Sequence, residues 1–149
     1  MERTLVLVKP DGVQRGLIGT VIKRFEDKGF QIAGLKLMMV TEALAREHYR
    51  EHVGKGFFDG LLSFITSSPV AAIAVDGEGV IGTVRQMMGE TNPSKASPGT
   101  IRGDFGVDFG LNIVHGSDGP ESAERELSLF FDERDLVAYD RAIQVWITA

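Results

Sequence analysis

Leu5-Val6-Leu7-Val8-Lys9-Pro10-Asp11-Gly12 is an unbroken apolar run that stops at a turn signal. It reads as a buried strand ended by proline and glycine. Downstream, Ile18, Val21, Ile22 and Phe25 recur at i, i+3, i+4 and i+7, which is an amphipathic helix closed by Gly29. Ile32–Val40 reads as a second strand, and Thr41–His52 as a polar helix with Thr41 as its N-cap. Phe58, Leu61, Leu62 and Ile65 again have helical spacing. Val70–Val75 is a third strand, and Ile81, Val84 and Met88 mark a helix ended by Gly89. Glu90–Gly110, rich in Gly, Pro, Asn and Ser, reads as a long loop with one helical turn, and long loops in compact domains are often functional. Leu111–Val114 is a fourth short strand. Ala123, Leu127, Phe130 and Phe131 give a last helix, and an extended tail follows through Trp146. With the smaller helices set aside, the order is βαββαβ. The expected fold is α+β, a ferredoxin-like four-stranded antiparallel sheet with helices packed on one face.

At 149 residues the chain is expected to be one domain, residues 1–149. A hydrophobic content of 43% is enough for a core and too high for a disordered chain. No apolar run approaches the roughly 20 residues needed to cross a bilayer. The start, Met1-Glu2-Arg3-Thr4, has neither the basic region nor the apolar stretch of a signal peptide. There is no cysteine, which removes disulfides, thiolate catalysis and cysteine metal sites. A cytoplasmic protein without membrane attachment is expected. A net charge of −5 does not suit a dedicated nucleic-acid binder. A polyanionic ligand would need the basic residues gathered locally, with a divalent cation helping.

Asn112-Ile113-Val114-His115-Gly116-Ser117-Asp118 is the stretch richest in chemistry. His115 ends an apolar run just before a glycine, and imidazole is the ordinary side chain whose charge changes near neutral pH. A lone histidine after an apolar pair is often only a hydrogen-bonded core residue. Here Gly116 allows close backbone approach or an unusual dihedral. Ser117 and Asp118 can each cap the following helix, with capping-box spacing from Asp118 to Glu121. A helix N-terminus just after the histidine favours an anion, and therefore phosphate chemistry.

Other patterns mislead. Gly77-Glu78-Gly79-Val80-Ile81-Gly82 matches G-x-G-x-x-G, and Asp104-Phe105-Gly106 and Asp108-Phe109-Gly110 both spell D-F-G. A protein kinase also needs a lysine on the next strand and an H-R-D catalytic loop, and both are missing. A dinucleotide fingerprint belongs in a parallel βαβ unit, so the glycines read as a turn after the third strand. His48-Tyr49-Arg50-Glu51-His52 fits the inverted zinc-protease pattern H-x-x-E-H. The segment is highly charged, and a solvated helix surface is expected instead.

Glu2-Arg3-Thr4, Lys9 to Gly16, Gly89-Glu90-Thr91-Asn92-Pro93, Pro98 to Asp104 and Asn112 to Asp118, in this order, resemble nucleoside diphosphate kinases. The resemblance runs from Glu2 to about Phe131. It implies a ping-pong phosphotransferase in which a nucleoside triphosphate phosphorylates a histidine and a nucleoside diphosphate, ribo or deoxyribo, takes the group. By motif position that histidine is His115, with Glu126 and Ser117 matching the residues that orient it. Lys9 and Asn112 match contacts to the ribose 3′-hydroxyl and nearby phosphate, and Tyr49 the tyrosine near the transferring group. Arg85, Thr91 and Arg102 match phosphate ligands, and Phe57 the aromatic ring on which the base stacks. The implied cofactor is Mg2+, with no direct protein ligand and Asp118 reaching it through water. The resemblance also implies a homo-oligomer, a hexamer built from dimers, with tetramer and dimer as alternatives. Three positions depart from the family pattern. Phe109 stands where a smaller aliphatic residue usually faces the base, Gly56 replaces a proline, and Leu111 replaces an arginine. The competing readings are a nucleotide-binding module without turnover and a nucleic-acid binder, the second of which finds no support in the charge.

Overall fold

The structure is a computed structural model describing residues 1–149. Four strands, β1 (Glu2–Val8), β2 (Gln31–Met38), β3 (Val70–Gly77) and β4 (Val114–Gly116), form one antiparallel sheet in the order β2-β3-β1-β4. The helices are α1 (Pro10–Gln14), α2 (Ile18–Lys28), α3 (Glu42–His48), α4 (Phe58–Ile65), α5 (Val80–Met88), α6 (Ile101–Phe105) and α7 (Pro120–Phe130). The expected βαββαβ order is present, with α1, α3, α4, α6 and α7 as additions.

The two helices of the βαββαβ unit, α2 and α5, share one face as expected, while α3, α4 and α7 cover the other, and the opening run shows both. Leu5, Val6, Leu7 and Val8 are all fully buried, so both faces of β1 are covered. Successive residues of a strand point to opposite faces. Val6 and Val8 pack with Ile73 and Val75 of β3, Val21 and Phe25 of α2, and Val84 and Met88 of α5. Leu5 and Leu7 pack with Ala72 and Ala74 of β3, Ala45 of α3, Ile65 of α4 and Phe130 of α7. A fully buried side chain such as Phe25 or Phe130 contributes about 1.5–3 kcal/mol by leaving water.

Local signals mostly act as read. Gly29 adopts φ 105° and closes α2, a left-handed cap that suits glycine. The Thr41 side chain accepts a hydrogen bond from the Leu44 N–H at the start of α3. That helix ends at His48, and a 3-10 turn over Arg50–His52 replaces its expected last turn. The segment Glu90–Gly110 holds two short helical pieces, Pro93–Lys95 and α6, where one was expected. The fourth strand starts at Val114 instead of Leu111, so His115 lies within it. The reason is Ile113, which has φ 74° and cannot continue a strand backward. The last helix is not capped by Ser117 or Asp118. Its N-cap is Gly119, without a side-chain hydrogen bond, and Pro120 opens it.

A positive φ at a buried, β-branched residue is strained, by about 1–3 kcal/mol. Two contacts from the Lys9-Pro10-Asp11-Gly12 turn hold it. The Asp11 carboxylate accepts from the Ile113 N–H at 3.0 Å, and the Ile113 carbonyl accepts from the Lys9 N–H at 2.8 Å. Replacing Asp11 by alanine orphans the Ile113 N–H and releases the strained turn. D11A is expected to lower stability by about 1–3 kcal/mol in urea unfolding, and a variant as stable as the parent would contradict this account.

Candidate active site

The β1–β4 register decides where His115 points. His115 sits opposite Leu7, and directly opposed residues of a pair share a face. That is the face covered by α3, α4 and α7. From α7, Glu126 places Oε1 3.0 Å from His115 Nε2. The Ser117 hydroxyl donates to the same oxygen at 2.7 Å and accepts weakly from the Leu5 N–H at 3.4 Å. Burial pushes the Glu126 carboxyl up, but the hydrogen bond and charge of His115, with the Ser117 hydroxyl, outweigh it and hold the group below the usual carboxylate range. An ionised carboxylate only accepts, so His115 Nε2 donates to it, and in the neutral ring this tautomer puts the lone pair on Nδ1.

Gly116 follows the histidine because of the space behind it. A Cβ there would lie 2.6 Å from Met88 Cε, so α5 packs against bare backbone. Close approach is the use of this glycine, since its φ is not positive.

A cleft of about 630 Å³ opens above His115. Of the residues expected to serve the site, Lys9, Tyr49, Phe57, Arg85 and Thr91 line it. So do Arg102, Asn112, Asp118, Glu126 and His115 itself. Ser117 is fully buried and lies behind the cleft, against Glu126. The Lys9 ammonium donates to Asn112 Oδ1, and the Asn112 amide donates to the Thr91 carbonyl at 2.9 Å. Burial pulls the Lys9 pKa down to about 8; Asp11 opposes this and Arg102 adds to it. Burial, with Glu126, pushes the Tyr49 phenol up to about 12, so it stays a neutral donor.

The two arginines differ. Arg85 is half-exposed and donates to Asp118 at 2.8 Å and to the Gly116 carbonyl at 3.3 Å. Arg102 is buried and ties three carbonyls together, those of Asn112, Gly89 and Val114, at 3.2, 2.9 and 2.7 Å. A guanidinium has five N–H donors, so two remain. Burial and the nearby Arg85 lower the Arg102 pKa to about 10, which leaves it charged at neutral pH. Together with Lys9 and Arg125, these cations line one cleft of an acidic chain.

The expectation of a solvated face for His48 fails. His48 is buried, its ring edge-on to His115 with centroids 4.9 Å apart, and its Nδ1 is 3.9 Å from Glu126 Oε2. Neither of its ring nitrogens has a hydrogen-bond partner. Burial, helped by His115, lowers its pKa to about 4, so it is neutral here and leaves the Glu126 charge to His115. Phe64 was also missed: the Lys9 ammonium lies 5.7 Å from its ring centroid. Arg125 donates to the Glu47 and His48 carbonyls and fixes the end of α3 against α7. The spacing of His48 and His52 was a signal for the first of these. Nothing local marked the other two.

No carboxylate is free deep in the cleft. Asp118, 78% exposed at its side chain, is the one set beside the phosphate-suited Arg85. One peripheral carboxylate fits a hydrated Mg2+ held mostly by a ligand's own phosphates.

Comparison with known proteins agrees with this arrangement. The family model described as nucleoside diphosphate kinase matches residues 2–136. A nucleoside diphosphate kinase of Carboxydothermus hydrogenoformans is 59% identical over 147 residues, covering 99% of each chain. One from Chloroflexus aurantiacus is 58% identical over 149 residues, again covering 99% of each. Among solved structures, a halophilic nucleoside diphosphate kinase from Halobacterium salinarum, in complex with CDP, superposes with a TM-score of 0.97 at 53% identity over 99% of both chains. A nucleoside diphosphate kinase family protein from Babesia bovis gives 0.97 at 45% identity, over 99% of this chain and 100% of that one. With this sheet, this cleft and relatives alike from end to end, the chain belongs to the nucleoside diphosphate kinase family, and phosphoryl transfer between nucleotides is its activity.

Proposed function

We propose that transfer runs by a ping-pong route through a phosphohistidine on His115. The observation that carries this is the 3.0 Å contact from His115 Nε2 to the ionised Glu126, which leaves Nδ1 with a lone pair. In the first half, Nδ1 attacks the γ-phosphorus of a nucleoside triphosphate. The new N–P bond forms as the bond to the β,γ-bridging oxygen breaks, and the diphosphate leaves with those electrons. The ring becomes cationic, and Glu126 balances the charge. In the second half, a terminal oxygen of another nucleoside diphosphate attacks that phosphorus, the P–N bond breaks, and His115 returns neutral. Splitting the reaction avoids bringing two polyanions together.

Catalysis of this kind rests on placement and charge. Arg85, Arg102 and Thr91 are assigned to the phosphates, Lys9 and Asn112 to the ribose 3′-hydroxyl and adjacent phosphate, and Tyr49 to the transferring group. Phe57, 54% exposed at the cleft, is assigned to the base, and a ring face accepts every base. Ser117 positions Glu126, and Glu126 positions His115. Mg2+, bound by nucleotide phosphates and reached by Asp118 through water, would offset phosphate charge. The 149 residues act as one domain in the cytoplasm, on nucleotides rather than on nucleic acid.

The assembly assigned to the chain is a hexamer built from dimers. It is supported by exposed apolar side chains on the edge strand β2, Leu35 and Leu37, and on the tail, Val145 and Trp146.

Incubation with γ-labelled ATP and Mg2+ is expected to label the protein at His115 and to release the label on adding a nucleoside diphosphate. His115→Ala should take up no label yet still bind nucleotide, and labelling that persists would refute the nucleophile assignment. Lys9 supplies a pH test. Its ammonium loses its proton as pH rises through about 8 in the free protein, while bound phosphate favours the charged form. Nucleotide binding above that pH should therefore take up a proton, and affinity should fall as pH rises. Calorimetry in two buffers of different ionisation enthalpy reads the uptake, and Lys9→Gln should abolish it. Light scattering is expected to give six times the chain mass, and a monomeric mass would overturn the assembly.

A further inference from the structure

Three side chains from separate elements meet at the cleft: His48 at the end of α3, His115 on β4 and Glu126 on α7. One ring nitrogen of each histidine and a carboxylate oxygen all lie within 4.8 Å of one another. Glu126 divides its oxygens between the rings, with Oε1 3.0 Å from His115 Nε2 and Oε2 3.9 Å from His48 Nδ1. The Ser117 hydroxyl, 2.7 Å from Oε1, fixes the carboxylate from behind. The transfer reaction uses His115 and Glu126 but gives His48 no task. His48 is only 5% exposed, and neither of its ring nitrogens has a hydrogen-bond partner. In a neutral imidazole one of those nitrogens is a bare acceptor, here a buried lone pair with nothing to accept. His52, the partner that the H-x-x-E-H spacing would supply, sits in the 3-10 turn beyond α3 and does not join the group. The fold gives His48 a different histidine.

We propose that His48, His115 and Glu126 form a site for one imidazole-seeking divalent cation, with Zn2+ as its probe, and that the bound cation switches His115 off as a nucleophile. Binding needs only the geometry above; the effect on transfer rests on the phosphohistidine reading. Two imidazoles and a carboxylate are a regular ligand set for Zn2+, and water from the cleft completes four. Bonds of about 2.0–2.2 Å set tetrahedral ligands roughly 3.4 Å apart, so the group contracts by at most about 1.4 Å, shared between two rings. Mg2+ takes oxygen ligands and keeps its waters, so the ion carried by a nucleotide does not compete for the imidazoles. The consequence is a change of tautomer. Without the cation, His115 Nε2 donates to Glu126 and Nδ1 holds the lone pair. A cation takes a lone pair at Nε2, so the single ring proton moves to Nδ1, the atom that attacks phosphorus. The ring gains and loses no proton, and removing the cation restores the first tautomer.

Zn2+ binding is measured by competition with a chromophoric chelator, on the full chain without nucleotide or Mg2+. The parent should bind one Zn2+ per chain. His48→Phe and Glu126→Gln should each weaken binding about 100-fold, while His52→Gln should bind as the parent does. NMR of the histidine ring nitrogens tests the parent without any variant, so a variant that fails to fold does not decide the matter. Zn2+ should shift the signals of His48 and His115 and leave those of His52 in place. Labelling by γ-labelled ATP and Mg2+ is then followed with free Zn2+ held constant by a metal buffer. Uptake should be lost as the site fills and should return when a chelator removes the Zn2+. Binding no tighter than that of folded His48→Phe, equal loss in His52→Gln, or shifts confined to His52 would overturn the site. Binding as stated with labelling unchanged would overturn the switch and leave the site standing. A parent that binds Zn2+ as stated but takes up no label in its absence keeps the site, and the transfer reading falls.

Discussion

The backbone clamp between the Lys9-Pro10-Asp11-Gly12 turn and Ile113 is the constraint on which the rest of the site hangs. β4 pairs with β1 over three residues, too short a ladder to fix its own register. What fixes it is the exchange at its entrance, where Lys9 donates to the Ile113 carbonyl and Asp11 accepts the Ile113 N–H. This holds Ile113 in a left-handed conformation that a β-branched residue avoids. The strain has a consequence in the cleft. The chain turns at Ile113, so Asn112 faces Lys9 on one side of the bend while His115 faces Glu126 on the other.

The charges around Glu126 follow from that placement. A buried carboxylate is unfavourable unless it is paired and hydrogen-bonded. Here His115 and Ser117 both meet one oxygen, and the second lies 3.9 Å from a neutral His48. Burial works in opposite directions on the two kinds of group: it lowers the pKa of His48 and, taken alone, raises that of Glu126. The result is one anion, held by hydrogen bonds, next to a histidine, His115, that remains partly open to the cleft.

The cations solve a different problem. An acidic chain repels nucleotides at long range, and its cleft must reverse that sign locally. Lys9 does so from a half-buried position and Arg102 from a buried one, with burial lowering both pKa values, and Arg102 also binds the carbonyls of Gly89, Asn112 and Val114. The same guanidinium thus braces the long segment before β4 and adds charge to the cleft. Arg85, more exposed, is held by Asp118, so an anion approaching it would compete with that carboxylate.

The sequence alone carried the order of elements, because apolar periodicity and glycine or proline stops are local: Leu5–Val8, the Ile18–Phe25 stripe and the Gly29 cap lie where read. The ordered motifs also marked the residues that line the cleft, since each motif is a short stretch of fixed spacing. The sequence could not show that helices cover both faces of the sheet, because a run such as Leu5-Val6-Leu7-Val8 is apolar whichever elements cover it. Nor could it show that α3, set far from β4 in the chain, buries His48 against His115, or that Ile113 departs from the strand. Those outcomes depend on long-range partners, on α7 packing beside α3 and on Asp11 reaching across 102 positions of chain to one amide. Spacing fixes what neighbours along the chain can do together, and only the closed tertiary structure decides which distant groups share a dry, charged space.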